Sequence, residues 1–402
     1  MSKLDKYIIG SSIFALFTED FSFNFIIDIK LFYFIIIVNS IFLIYKNSYV
    51  INKNHLLIIL FLLIHGILTS IFINDILGSL FSQILGISIS SFFYYNLLRF
   101  YGKDRLFETY LNFALIIAIL ALPMFYLRIN VFADGGRLNG ILNEPAHYAA
   151  IMLPATFMFF KRKNYFKLIL IVITILLSKS TIGYFGLLLI ILIPMVKLKY
   201  LLKYIGVFLI LSLSITYYLT LKWHESTTSE DSDVFVRRIK ETSESLKGGI
   251  EGEFKDDVNL STYALLSNSF ITKKSLTDYP LGSGLGSYSY QYEKYYPLMH
   301  APKYLVIQGL SEINKFDANS LFLRFFVDLG IFAIFFFTYF VIISVKLFKQ
   351  DDSEIRQATF FYLIVKLIRE GHYFPPEFYF FLLIFVKNFD ENITYPRKLL
   401  NN

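Results

Sequence analysis

The sequence predicts an all-α fold, a polytopic membrane bundle of about 12 transmembrane helices with one large helical loop outside the bilayer. Three observations predict it. Of 402 residues, 55% are hydrophobic and only 17% charged, more apolar surface than a water-soluble core of this size buries. Apolar runs of helix length recur along the chain, separated by short basic or polar links. Forty-five Phe and 29 Tyr accompany a single Trp, which suits helices that face lipid and one another with Tyr near the interface.

Taken in order, the runs cover 7–17, 29–45, 55–73, 76–98, 106–127, 146–160, 165–177, 182–196, 200–221, 321–345, 358–368 and 374–386. The first follows Lys3 and Lys6 as a signal peptide would, but Phe17-Thr18-Glu19-Asp20 lacks a small-residue cleavage pattern, so it is expected to stay as a span. The first, seventh and eleventh runs are short and need tilt or burial in the bundle.

Basic residues set the expected orientation, because short cytoplasmic loops collect Lys and Arg. With the N-terminus inside, the inner loops hold Lys46 and Lys53, Arg99 and Lys103, Lys161 to Lys163, Lys197 and Lys199, and Lys346 and Lys349. Both termini then lie in the cytoplasm, and the connection 222–318 lies outside. That connection carries 11 Lys and Arg against 14 Asp and Glu, whereas the whole chain carries +7. The separation supports the orientation and argues against nucleic-acid binding, which needs a basic face. Three parts follow: a bundle over 1–221, the outer loop over 222–318, and final helices with a tail over 319–402. Within the loop, 234–246 and 260–276 show helical periodicity, which suits amphipathic helices over a cavity.

The absence of Cys excludes disulfides and thiolate chemistry. The six His stand at 55, 65, 147, 224, 300 and 372 without a pair at ligand spacing, and no acidic cluster is read as a metal-binding site. The sequence therefore predicts no metal and no cofactor.

Three stretches concentrate chemistry on the outer side. The first, Gly135-Gly136-Arg137-Leu138-Asn139-Gly140, continues through Asn143-Glu144-Pro145-Ala146-His147. It places an Arg, a Glu and a His around a Pro-started helix, with Glu144 and His147 on one face. Pairing of Arg137 with Glu144 at the interface is the plainer reading. The second is Tyr279-Pro280-Leu281-Gly282-Ser283-Gly284-Leu285-Gly286, which is either a turn or a nest of backbone amides for an anion. The third, Ala318-Asn319-Ser320-Leu321-Phe322-Leu323-Arg324, runs on to Asp328-Leu329-Gly330 where the chain re-enters the membrane. Lys179 stands between two short spans, and Lys366 and Arg369 share a face of the eleventh, followed by Glu370, His372 and Glu377. Snorkelling is the plainer account of Lys179, interface pairing that of Lys366 and Glu377, and a solvated face that of Arg237 and Arg238.

These stretches resemble the Gly-Arg, Glu-Pro and Pro-Leu-glycine elements of Wzy-type O-antigen and capsule polymerases, a family similar to the O-antigen ligases. The third resembles the Ala-His-Asn pattern of that superfamily, with Asn319 standing where ligases carry His. An amide cannot act as a general base, so the polymerase fits better than the ligase. The resemblance implies a GT-C-like bundle in a bacterial inner membrane, working at its outer face. It also implies polyprenyl-diphosphate-linked oligosaccharides as donor and acceptor, and a chain-length regulator protein as a partner.

On that reading the growing glycan leaves undecaprenyl diphosphate and passes to the non-reducing end of a new repeat unit, metal-independently and with inversion. Arg137, Arg324, Arg369 and Lys179 are expected to hold the diphosphate. Glu144, His147 and His372 are the candidate bases, with Glu144 first, and Asn319, Gly282 and Gly284 contact substrate. Two rivals stand beside it: a ligase passing glycan to lipid A core, and a flippase for the lipid-linked sugar. A flippase of this size commonly shows repeated halves, and none is visible.

Overall fold

The computed structural model describes residues 1–24, 28–73, 77–130, 132, 135–195, 248–256, 258, 260–350, 353–373, 375–387 and 389. The ninth predicted span, 200–221, and the loop helix 234–246 with Arg237 and Arg238 lie outside the described residues.

The chain opens with α1 (Lys3–Phe14), whose Ser2 cap and Asp5 form a reciprocal capping box. A 3₁₀ turn, Ala15–Phe17, extends it to Thr18 and Glu19. A two-stranded antiparallel ribbon, β1 (Ser22–Asn24) with β2 (Asp28–Lys30), pairs Ser22 with Lys30 and turns the chain back into α2 (Leu31–Tyr45). That ribbon was not legible in the pattern, so the all-α expectation holds for 73% of the structure but not for this corner.

Five longer or central helices follow: α3 (Lys53–Ile73), α4 (Leu77–Tyr101), α5 (Lys103–Tyr126), α6 (Pro145–Lys161) and α7 (Tyr165–Leu177), then α8 (Thr181–Leu192). After the undescribed stretch come α9 (Leu260–Asp278), α10 (Tyr288–Tyr295) and a one-turn α11 (Lys303–Ile307). The chain ends through α12 (Leu321–Leu329), α13 (Phe332–Lys349), α14 (Glu354–Ile368) and α15 (Phe378–Val386).

The tenth predicted span is two helices. Gly330 adopts φ +57, and a Cβ there would lie 2.2 Å from the amide nitrogen of Gly282 and 2.3 Å from the carbonyl of Pro280. Only a residue without a side chain permits this backbone approach, so α12 stops where the outer loop crosses it.

One large apolar core joins the bundle. Its centre is α6, buried along almost its whole length, packed against α14, α7 and α8. Three helices are long and apolar enough to cross a membrane: Lys53–Ile71, Lys103–Tyr126 and Phe332–Lys349. Only 22% of the first and 17% of the last is buried within the protein. Such helices, apolar all round yet uncovered, expose Leu57, Ile71, Phe335 and Ile342. Water is a poor solvent for that surface, and a bilayer is a good one. Shorter apolar helices, among them α2, α7 and α8, accompany them.

Candidate functional site

A cavity of about 440 Å³ opens at one end of the bundle, and helix ends build it. Glu19 arrives past the end of α1, and Lys30 and Tyr33 from the start of α2. Asn143, Glu144 and His147 come from the start of α6, where Pro145 at the first helical position fixes the entry. Asp317 and Asn319 precede α12, and Arg369, Glu370 and His372 follow α14. Of the ten residues nominated from sequence, this brings together five: Glu144, His147, Asn319, Arg369 and His372.

The wall from Asp317 to Glu370 is a strained contact between two segments. Ala318, Asn319 and Glu370 all adopt positive φ, at 63, 58 and 106. Each costs on the order of 1–3 kcal/mol in a residue with a Cβ and persists only where surroundings enforce it. Here Glu370 donates its amide to the Asn319 carbonyl at 2.9 Å, and Ser320 donates its hydroxyl to the Leu367 carbonyl at 2.9 Å. A Cβ on Gly371 would sit 1.3 Å from the Asp317 carbonyl oxygen, so the two backbones touch there. Strain of this kind concentrates at functional sites.

Ionisable groups line the cavity in two sets. In the first, His147 Nδ1 lies 2.7 Å from Glu19 Oε2, and its Nε2 lies 3.6 Å from Glu370 Oε2. Glu370 also pairs with Lys366, whose ammonium stands 3.2 Å from Glu377. Tyr362 donates to Glu377 at 2.8 Å, which closes a buried chain running into the bundle. Burial opposes charge on Glu19, but the hydrogen bond and charge of His147, helped by Lys366 and Lys30, outweigh it and hold the carboxylate at about 2.

In the second set, His372 Nε2 lies 3.3 Å from Asp317 Oδ2, with about half of the imidazole surface open to the cavity. Surrounding protein strips enough water to push this imidazole below its usual value; Asp317 opposes the shift, while Arg324, Lys30 and His147 reinforce it. His372 is therefore neutral at pH 7. Arg369 and Glu144 face the cavity without an ion-pair partner among the described residues. Arg369 caps α14 with φ −137 and leaves the helix, so it does not share a helical face with Lys366 as the spacing predicted. Lys366 and Glu377 do pair, but in the buried interior rather than at the interface.

The other nominees stand elsewhere. Arg137 donates from Nε to the Ser178 carbonyl at 3.5 Å and does not pair with Glu144. Lys179 is exposed beside it; the two loops join through the Leu138 amide and Leu177 carbonyl at 3.0 Å. They form a cationic corner at the same end of the bundle, outside the cavity lining.

Arg324 is buried and occupied: it donates to the Gly371 carbonyl at 2.8 Å, lies 3.6 Å from Asp328 and stacks 4.4 Å from the Tyr373 ring centre. Gly282 and Gly284 form a turn, not an anion nest. The amides of Ser283 and Gly284 donate to the carbonyls of Val327 and Asp328, both at 2.9 Å, and Gly286 donates to the Asp328 carboxylate at 3.2 Å. Gly282 donates to the Tyr279 carbonyl at 2.9 Å within the turn, while Gly284 and Gly286 donate to Asp328, so this segment is held against α12.

Sequence reasoning missed Glu19, Lys30, Asp317 and Glu370. Glu19 and His147 are 128 residues apart, and no spacing rule links them. A carboxylate immediately after a short apolar run was the available signal.

A second cavity, of about 300 Å³ and almost wholly apolar, lies beside the first, lined among others by Leu321, Phe325, Phe336, Tyr373 and Phe378. The segment from Leu367 to Phe378 contributes to both walls. Comparison of this chain with protein-family models, with curated proteins and with solved structures returns no match.

Proposed function

We propose that this protein is a membrane glycan polymerase that joins repeat units carried on polyprenyl diphosphate, with its cavity at the outer face of a bundle of about 12 spans. The observation that carries the reading is that one segment, 367–378, lends residues both to a polar cavity, where Arg369 has no ion-pair partner among the described residues, and to an apolar one. A lipid-linked diphosphate has the same division, an anionic head joined to a long hydrocarbon tail. Arg369 and Lys30 stabilise the leaving diphosphate through charge-assisted hydrogen bonds, with Arg137 and Lys179 drawing anionic substrate towards the rim.

The anomeric carbon–diphosphate oxygen bond breaks as the acceptor hydroxyl attacks from the opposite side. The hydroxyl proton passes to His372, which Asp317 orients and which is neutral at pH 7. Glu144 and Asn319 hold acceptor hydroxyl groups. Both termini lie in the cytoplasm on this reading, and a chain-length regulator is the expected protein partner.

The test is to supply purified protein with synthetic lipid-diphosphate repeat units and resolve the products on a gel. A ladder of lengthened glycans is expected, with Arg369→Ala reducing turnover by about 10². Transfer only to lipid A core would identify a ligase, and leaflet exchange without lengthening a flippase; either result removes the polymerase.

A further inference from the structure

The buried set at the cavity floor holds more carboxylates than its one ammonium balances. Glu19, Glu370 and Glu377 retain 11%, 5% and 5% of their side-chain exposure, and Lys366 retains 3%. Lys30 and Arg369 stand at the lining, where water screens them. Two features mark where the missing positive charge belongs. His147 directs Nδ1 at Glu19, which leaves Nε2 as the nitrogen offered to a ligand, and that nitrogen faces Glu370 Oε2 at 3.6 Å. Glu370 Oε1 is buried and has no hydrogen-bond partner. One donor atom from each of Glu19, His147 and Glu370 falls within a sphere of mutual distances no larger than 4.8 Å.

We infer that His147 and Glu370 bind a divalent cation at the cavity floor, with Glu19 orienting the imidazole from behind and completing the charge balance. A carboxylate that accepts the far N–H of a ligating histidine fixes its tautomer and raises its basicity. Lys366 occupies Glu370 Oε2, the oxygen that faces His147 Nε2, so the cation takes the other oxygen, Oε1, which has no hydrogen-bond partner.

A mixed imidazole and carboxylate set suits Mn²⁺ or Zn²⁺, and so few protein ligands leave positions for oxygens of a diphosphate. That last clause rests on the polymerase reading; the cation site stands on the protein groups alone. The inference departs from the metal-independent expectation for a geometric reason. The two ligands come from the first turn of α6 and from just past the end of α14, so they are not at ligand spacing in sequence.

The experiment uses the full chain in detergent, stripped with a chelator and titrated with Mn²⁺ alone, with free Mn²⁺ followed by electron paramagnetic resonance. One Mn²⁺ per chain is expected, with a dissociation constant no weaker than the roughly 10⁻⁴ to 10⁻³ M of extracellular calcium modules. Nitrogen coupling from one imidazole is expected in the bound spectrum and is lost in His147→Ala. Glu370→Gln abolishes binding, and Glu19→Gln weakens it about 10- to 100-fold.

Absence of stoichiometric binding by the wild-type chain overturns the site, whatever the variants do. Binding that survives both His147→Ala and Glu370→Gln overturns it equally. Neither outcome touches the glycan ladder, and a failed ladder leaves Mn²⁺ binding as it was measured.

Discussion

At His372 the ring is poised by two opposed influences, loss of water and the Asp317 carboxylate, and the first wins. The sign of the shift fixes the pH dependence. A histidine whose value is lowered stays neutral, and so able to accept a proton, down to a pH below the ordinary 6.5. The acid limb of kcat/KM is therefore expected below pH 6.5, with turnover lost as pH falls through it. His372→Ala should remove that limb and lower kcat by about 10²–10⁴. A limb that survives the substitution would assign the proton to another group, with Glu144 next in line.

These residues were partly legible in the sequence. Glu144, His147, Arg369 and His372 announced themselves as ionisable groups at the ends of apolar runs, where charge is costly and needs a reason. Arg324 announced itself the same way, yet its guanidinium is spent on Gly371 and Asp328. Residue type and depth are visible in one dimension; which partner a side chain finds is decided by contacts between segments.

Elements were more legible than sites, because hydrophobic run length is a local property. α7, at Tyr165–Leu177, has the expected bounds, and α2 and α3 begin within two residues of theirs. The break inside the tenth span was hidden because Gly330 reads as one residue in an otherwise continuous apolar run. Its cause is the loop 280–282, which arrives from a distant part of the sequence and presses on it.

Gly330→Ala should therefore destabilise the protein by about 2 kcal/mol or more, through strain at positive φ and displaced backbone. Gly10, inside α1 with nothing within 4 Å of a built Cβ, supplies the opposite case. Gly10→Ala should stabilise by about 0.5–1 kcal/mol, since alanine loses less backbone entropy in a helix. Thermal unfolding of both variants in detergent tests the contrast, and a drop of similar size in each would remove the account of the break.

For the whole molecule, sidedness ties the elements to the chemistry. The cavity gathers the ends of α1 and α14 and the starts of α2, α6 and α15. On the proposed reading, a lipid-linked sugar reaches it only from the side on which those helix termini lie. The connection 222–318 is acidic within a chain of net charge +7, which is the ground for expecting it away from the cytoplasm.

Because the chain has no Cys, single cysteines report sidedness without background. Ile307, 84% exposed in α11, lies at the cavity end through the loop that leads to Asp317. Lys163, between α6 and α7, and Gln350, after α13, lie at the opposite ends of their helices. A membrane-impermeant maleimide added to intact cells should label Ile307→Cys and leave Lys163→Cys and Gln350→Cys unlabelled until the membrane is permeabilised. Labelling of Lys163→Cys together with Ile307→Cys from outside would mean that α6 does not carry the chain across. The reverse pattern throughout would turn the cavity towards the cytoplasm, where a polymerase fed from the outer leaflet has no access to it.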